Sequence, residues 1–287
     1  MSGFVFSVLV LGLTGVLAAL ILYFVAERFK VDEDPRINLI LDALPGGNCG
    51  GCGYAGCRVF AETIVKNESL EGMICPAGGD EVLAEIGKLI GLEADETIPQ
   101  IAVVRCNGGK LNTDSKVGYD GVEDCYYANL VFSSEGGCPS SCLGFGNCVD
   151  VCLFDAIYID PITGLPVVDE EKCVACGACV KECPRQIIEL RNKGRRNMRI
   201  FVSCVNTERG GVARRNCKVA CIGCGKCKQA CKFDAITIEN NLAYIDYEKC
   251  KLCRKCVEVC PTGSIWEVNF PERKPKKEEE TEVLEAN

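Results

Sequence analysis

Cys173-Val-Ala-Cys176-Gly-Ala-Cys179-Val-Lys-Glu-Cys183-Pro184 returns later in the chain as Cys250-Lys-Leu-Cys253-Arg-Lys-Cys256-Val-Glu-Val-Cys260-Pro261. Both stretches read C-x2-C-x2-C-x3-C-P, the ligand run of a [4Fe-4S] cubane. Three thiolates within seven residues wrap one corner of a cluster, and the fourth Cys reaches a neighbouring one. Structural zinc favours separated Cys pairs that close a tetrahedron, and a disulfide framework needs an oxidising compartment. The chain has no His among its 287 residues, which excludes mixed Cys/His zinc sites, His-ligated haem and His general bases. These residues imply electron transfer.

Working outward, the chain repeats itself. Cys152-Leu-Phe-Asp-Ala-Ile-Tyr-Ile matches Cys231-Lys-Phe-Asp-Ala-Ile-Thr-Ile, and Val167-Val-Asp-Glu-Glu-Lys-Cys173 matches Tyr244-Ile-Asp-Tyr-Glu-Lys-Cys250. Upstream, Cys125-x12-Cys138-x3-Cys142 is spaced like Cys204-x12-Cys217-x3-Cys221. Short β-branched strands alternate with Cys-bearing turns, the pattern of a two-cluster ferredoxin module. The crossover rule then assigns Cys221, Cys224, Cys227 and Cys260 to one cluster, and Cys231, Cys250, Cys253 and Cys256 to its partner. In the first repeat Phe145 stands where the middle Cys of the first run should be. Cys138 is the substitute expected there, giving Cys138, Cys142, Cys148 and Cys183 as one set and Cys152, Cys173, Cys176 and Cys179 as the other.

A further constellation stands apart. Gly46-Gly-Asn-Cys49-Gly-Gly-Cys52-Gly-Tyr-Ala-Gly-Cys57, closed by Cys75-Pro76, offers four thiols from a tight Gly-rich loop. Cys57 opens a helix expected over 58–66, whose N-terminal dipole favours an anionic cluster; four-Cys zinc is the alternative. Asp80 is expected to cap a second helix with Val82, Ile86, Leu89 and Ile90 on one face. A strand is expected over 101–105. Five such sets use 20 of the 24 Cys, leaving Cys106, Cys125, Cys204 and Cys217, the number one more cubane needs. Against a sixth cluster stand two alternatives: buried free thiols, or Cys217 in place of Cys221 as a ligand.

Gly3 to Ala26 is an uncharged run of 24 residues, about 36 Å long as a helix against a bilayer core of about 30 Å. A signal peptide would need a basic start and a small-x-small cleavage site. Arg28, Lys30 and Arg36 follow the span, so the positive-inside rule puts the remainder in the cytoplasm, as the inner-membrane face of a single-pass protein. The net charge of −8 argues against a nucleic-acid partner. It is nonetheless uneven: residues 185–218 hold ten Lys or Arg against Glu189 and Glu208, either a solvated linker or contact with anionic lipid, or a surface that steers an acidic electron carrier.

The expected fold is α+β. A transmembrane anchor (1–30) precedes a small, mostly helical four-Cys domain (31–95) and a connecting segment (96–137). A first ferredoxin module (138–195), a basic connecting segment (196–216), a second module (217–268) and a disordered charged tail (269–287) follow. There is no G-x-G-x-x-G after a strand, no P-loop and no flavin fingerprint, so no flavin, haem or NAD site is expected, and no catalytic residue.

In this order of parts, and in the signature from Gly46 to Cys57, the chain resembles the B subunit of Rnf electron-transport complexes over nearly its whole length. The resemblance implies [4Fe-4S] at Cys49, Cys52, Cys57 and Cys75. It also implies an electron-relaying subunit of a Na+- or H+-translocating ferredoxin:NAD oxidoreductase, with soluble ferredoxin and other subunits as partners. A second module and four further Cys set it apart from the shortest members. The rival readings are a polyferredoxin subunit of another reductase or hydrogenase, and a zinc-stapled, membrane-tethered interaction protein.

Overall fold

The computed structural model describes residues 2–28, 34–93 and 98–272. Residues 29–33 at the end of the expected anchor, and 273–287 of the expected charged tail, lie outside them. Helix α1 (Ser2–Arg28) contains a span, Gly3–Arg28, of mean hydropathy 2.7 with none of it buried. Its hydroxyls bond back along the helix, Ser7 to the Gly3 carbonyl at 3.0 Å and Thr14 to the Val10 carbonyl at 2.9 Å. This helix, apolar on every side along its span and with Ser7 and Thr14 satisfied internally, is long and apolar enough to cross a membrane.

Helices α2 (Pro35–Ala43), α3 (Cys57–Asn67) and α4 (Gly79–Ile90) enclose a core of Ile40, Phe60, Ile64, Leu83 and Ile86. Asp34 caps α2, its carboxylate accepting from the Arg36 N–H at 2.9 Å, and Pro35 fills the first helical position where no N–H is needed. The expected cap of α4 moves: Gly78 is the N-cap and Asp80 lies inside the first turn, where its charge still favours the helix dipole. The buried stripe shifts with it to Leu83, Ile86 and Gly87, leaving Leu89 at the surface. At Gly87 the chain closes tightly over the helix end: the Leu92 N–H donates to the Gly87 carbonyl at 2.8 Å, and a Cβ on Gly87 would lie 2.5 Å from the Leu92 carbonyl oxygen.

From residue 100 the chain builds two sets of four strands. In the first, β1 (Gln100–Val104) pairs antiparallel with β4 (Ile188–Asn192), and β2 (Ile157–Ile159) with β3 (Pro166–Val168). In the second, β5 (Arg199–Val202) pairs with β8 (Ile265–Val268), and β6 (Ile236–Glu239) with β7 (Leu242–Ile245). Strand pairing thus draws the first unit from residue 100 and the second from residue 199, ahead of the expected starts at 138 and 217. Each outer strand pairs with one more than 60 residues away, a long-range closure that local sequence patterns do not reveal. Short helices join the strands: α5 (Gly109–Asn112), α6 (Cys125–Val131), α7 (Asn147–Asp150) and α8 (Ala178–Glu182) in the first unit. The second unit has α9 (Gly210–Asn216), α10 (Lys226–Ala230) and α11 (Lys255–Glu258).

The units are welded face to face. Ile101 and Val103 of β1 pack with Phe201 of β5. Beside them Arg191, 1% exposed, pairs with Glu189, and its guanidinium lies 5.1 Å from the Tyr244 ring and 5.8 Å from those of Phe201 and Tyr247. Arg105, at the end of β1, donates to Glu189 at 3.1 Å and to the Val202 and Cys204 carbonyls at 3.3 Å. Arg199 is buried too, ion-paired with Glu170 of the first unit. Two of the ten basic residues expected to form a docking surface are therefore mortar between the units. Arg185 is spoken for as well, donating to the Phe132 carbonyl at 2.7 Å.

Candidate iron–sulfur sites

In the four-Cys domain the loop before α3 turns through positive φ at Gly50 and Gly53, 67° and 85°, which a side chain would resist. The Asn48 side-chain carbonyl accepts from the Cys57 N–H at 2.9 Å and ties the loop to the start of α3. Burial pushes the Cys75 thiol up, and charge on Cys49, Cys52 and Cys57 adds to the shift, against a backbone N–H from Gly78. All four thiols therefore share one neighbourhood.

Three of the expected ferredoxin-type sets also come together. Cys152, Cys173, Cys176 and Cys179 line one cavity, and Cys221, Cys224, Cys227 and Cys260 another. Cys231, Cys250, Cys253 and Cys256 sit within electrostatic reach of one another. Burial pushes Cys256 up to about 12, with Cys250 and Cys253 adding to it. Cys260 goes the other way: burial acts to raise it, but hydrogen bonds led by the Ser264 hydroxyl, 3.4 Å away, hold it below the ordinary thiol value. Donors aimed at sulfur stabilise the thiolate and raise the potential of a cluster it holds.

The fourth set differs from expectation. Cys125, not Cys138, lines the cavity with Cys142, Cys148 and Cys183. Cys125 opens α6, and Asn147 pins it there, accepting from the Cys125 N–H at 2.8 Å while donating to the Asp124 carboxylate at 2.7 Å. Phe145, at the place of the missing Cys, packs instead on Tyr119 with ring centroids 5.4 Å apart, and Tyr119 on Phe132 at 5.0 Å. A distant Cys thus fills the gap in the run.

Cys138 is released to a sixth grouping: Cys106, Cys138, Cys204 and Cys217 line a cavity between the two units. The expected leftover set contained Cys125 in place of Cys138. Cys106 follows β1 and Cys204 follows β5, while Cys138 and Cys217 each stand four residues before the next ligand run. Each unit therefore contributes the same pair. The Asn206 amide donates to the Cys138 sulfur at 3.3 Å, and the Cys142 N–H to the Cys106 sulfur at 3.5 Å. Burial pushes Cys204 up to about 12, against backbone donors of Cys221 and Asn206, so loading metal here must release protons.

Among the described residues no three Cys, Asp or Glu side chains converge on a single ion. Tetrahedral zinc at about 2.3 Å from each sulfur would need thiols about 3.8 Å apart. Four of the sets line cavities, with backbone donors at their sulfurs, which suits a cubane better.

Neighbouring sets lie within electrostatic reach of one another in one linear order. Gly51 packs so tightly on the first unit that a Cβ would lie 2.8 Å from the Cys176 Cα, and Cys49 adds to the upward shift of Cys176. Cys179 acts likewise on Cys148, Cys106 on Cys142, Cys221 on Cys204, and Cys227 on Cys256. The line runs from the Cys49 set through both sets of the first unit, across the Cys106 set, to the two sets of the second.

Residues 44–72 match a family described as a putative Fe-S cluster, 166–189 a 4Fe-4S binding domain, and 220–264 a 4Fe-4S dicluster domain. The chain is 42% identical over 256 residues to the B subunit of the Na(+)-translocating ferredoxin:NAD(+) oxidoreductase complex of Acetobacterium woodii, covering 89% of this chain and 75% of that one. The B subunit of the ion-translocating oxidoreductase complex of Methanosarcina acetivorans is 38% identical, over 90% of this chain and 96% of its own. That of the proton-translocating ferredoxin:NAD(+) oxidoreductase complex of Clostridium ljungdahlii is 38% identical, over 92% and 93%.

Proposed function

Because the chain belongs to the family of B subunits of Rnf-type ion-translocating oxidoreductase complexes, we propose that it relays electrons between ferredoxin and the other subunits of such a complex. The supporting observation is the unbroken line of six four-thiol sets. When bound, [4Fe-4S] clusters supply one-electron transfer at each. The thiol sets hold them in order, and the buried joint at Glu189, Arg105 and Arg191 fixes the distance between the two halves. In this reading the strand sets are two tandem ferredoxin modules, and the helical four-Cys domain joins the line at Gly51. Hydride transfer and ion passage belong to partner subunits.

The anchor is a tether, with the remaining domains on the cytoplasmic side. Its described side chains include no Asp, Glu, Lys or Arg between Gly3 and Ala26, so the oxygens it offers are the Tyr23 phenol and the Ser7 and Thr14 hydroxyls, the latter two bonded back to the helix. Removing residues 1–28 is expected to give soluble brown protein whose visible absorbance dithionite bleaches. Colourless protein carrying stoichiometric zinc would overturn the electron-transfer reading.

A further inference from the structure

The two units share one chain plan, yet their corresponding corners differ. In the first, the half-buried Tyr119, Phe132 and Phe145 rings pack together at the corner of the missing Cys. In the second, Cys224 occupies that corner and is exposed, one of only two Cys in that class. Around it the chemistry is basic. Lys226 and Lys228 lie in α10 immediately after Cys224, Lys232 follows Cys231, and all three are exposed. Arg209 joins them: the adjoining Gly210 packs on the Ile222 backbone, where a Cβ would be 2.6 Å from the carbonyl oxygen. Arg214 and Arg215 of α9 are exposed as well.

The corresponding residues of the first unit carry no positive charge. Lys226, Lys228 and Lys232 align with Asn147, Val149 and Leu153, and Gln229 with Asp150. Over residues 207–234 there are seven Lys or Arg against Glu208 and Asp234, in a chain of net charge −8. Such an island attracts an acidic partner while the rest of the molecule repels it, so it sets orientation as well as encounter rate. The second exposed Cys, Cys253, stands among mixed charge: Glu248, Lys249, Lys251, Lys255 and Glu258, with the adjacent Arg254 paired to Glu267. Arg195 and Arg196, though exposed, lie on the turn between β4 and β5, where the adjoining Gly194 packs on Leu252 of the Cys250 run.

We infer that the Cys224 face, built by Arg209, Lys226, Lys228 and Lys232, is the docking surface for a small acidic iron–sulfur electron carrier. This rests on the relay reading above and deepens it by naming where the carrier binds.

Full-length protein in nanodiscs of zwitterionic lipid, titrated calorimetrically with an acidic two-cluster ferredoxin, tests this. The triple variant K226E/K228E/K232E is expected to weaken binding at least about tenfold at low salt, with the difference shrinking at high salt. R195E/R196E is expected to bind as the parent does. Iron content and the dithionite-bleached spectrum are measured on the same samples, so loss of clusters is distinguished from loss of docking. Unchanged affinity in the triple variant, or a larger loss in R195E/R196E, overturns the inference. So does capture of anionic phosphatidylglycerol vesicles that is lost in the triple variant while ferredoxin affinity stays the same, which would assign the face to lipid.

Discussion

Cys138→Ala is expected to remove about four iron atoms and to sever the line in its middle, leaving the two ends chemically competent but unconnected. Cys138 shares its cavity with Cys106, Cys204 and Cys217, between the sets at Cys142 and Cys221. Cys125→Ala should also remove about four irons, but from the cavity of Cys142, Cys148 and Cys183. The double variant Cys106→Ala/Cys138→Ala should lose no more iron than either change alone. The combination Cys125→Ala/Cys138→Ala should lose about eight. Iron and sulfide analysis of anaerobically purified variants checks the pattern. A loss of about eight from Cys106→Ala/Cys138→Ala would put those two residues in different sites and restore the grouping expected from spacing.

Glu189→Ala is expected to be the most destabilising change at the joint, costing about 3–5 kcal/mol. Glu189 is the carboxylate shared by Arg105 and Arg191, and Arg191 is 1% exposed. Without it two guanidinium groups are left in the interface with aromatic faces and carbonyls but no counter-charge. Arg191→Met should cost less, because the Arg105–Glu189 pair survives and a Met side chain can fill the space among Tyr244, Tyr247 and Phe201. Anaerobic calorimetry of the intact holoprotein reads the two shifts side by side. The reverse ranking would mean that the aromatic cage, not the shared carboxylate, holds the units together.

The ligand runs at Cys173 and Cys250 and the Gly-rich loop at Cys49 are legible in the sequence because their chemistry is local: thiols a few residues apart, turned by glycine. The places of Cys125 and Cys138 are not, although both residues are visible as repeat partners. Matching Cys125-x12-Cys138 to Cys204-x12-Cys217 treats equal spacing as equal position. The fold makes Cys106 the counterpart of Cys204 instead, since each follows the opening strand of its unit. The signal is present in the strand expected over 101–105, whose distant partner at 188–192 no local pattern marks.

The basic junction misleads for a related reason. Charge along a sequence does not distinguish an Arg that meets solvent from one that meets a carboxylate across an interface. Arg191 and Arg199 are of the second kind, while Arg209, Arg214 and Arg215 are of the first. In α4, one residue of helix phase separates the expected stripe from the buried one, and Gly87 lets the following chain turn close over the helix.

Iron and acid-labile sulfide per chain, measured on the full-length protein after anaerobic reconstitution, test the six-set line most directly. Six cubanes of four give about 24 of each. A saturated value of about 20 would contradict this count, leaving the four thiols between the units without a cluster and the line broken at its centre.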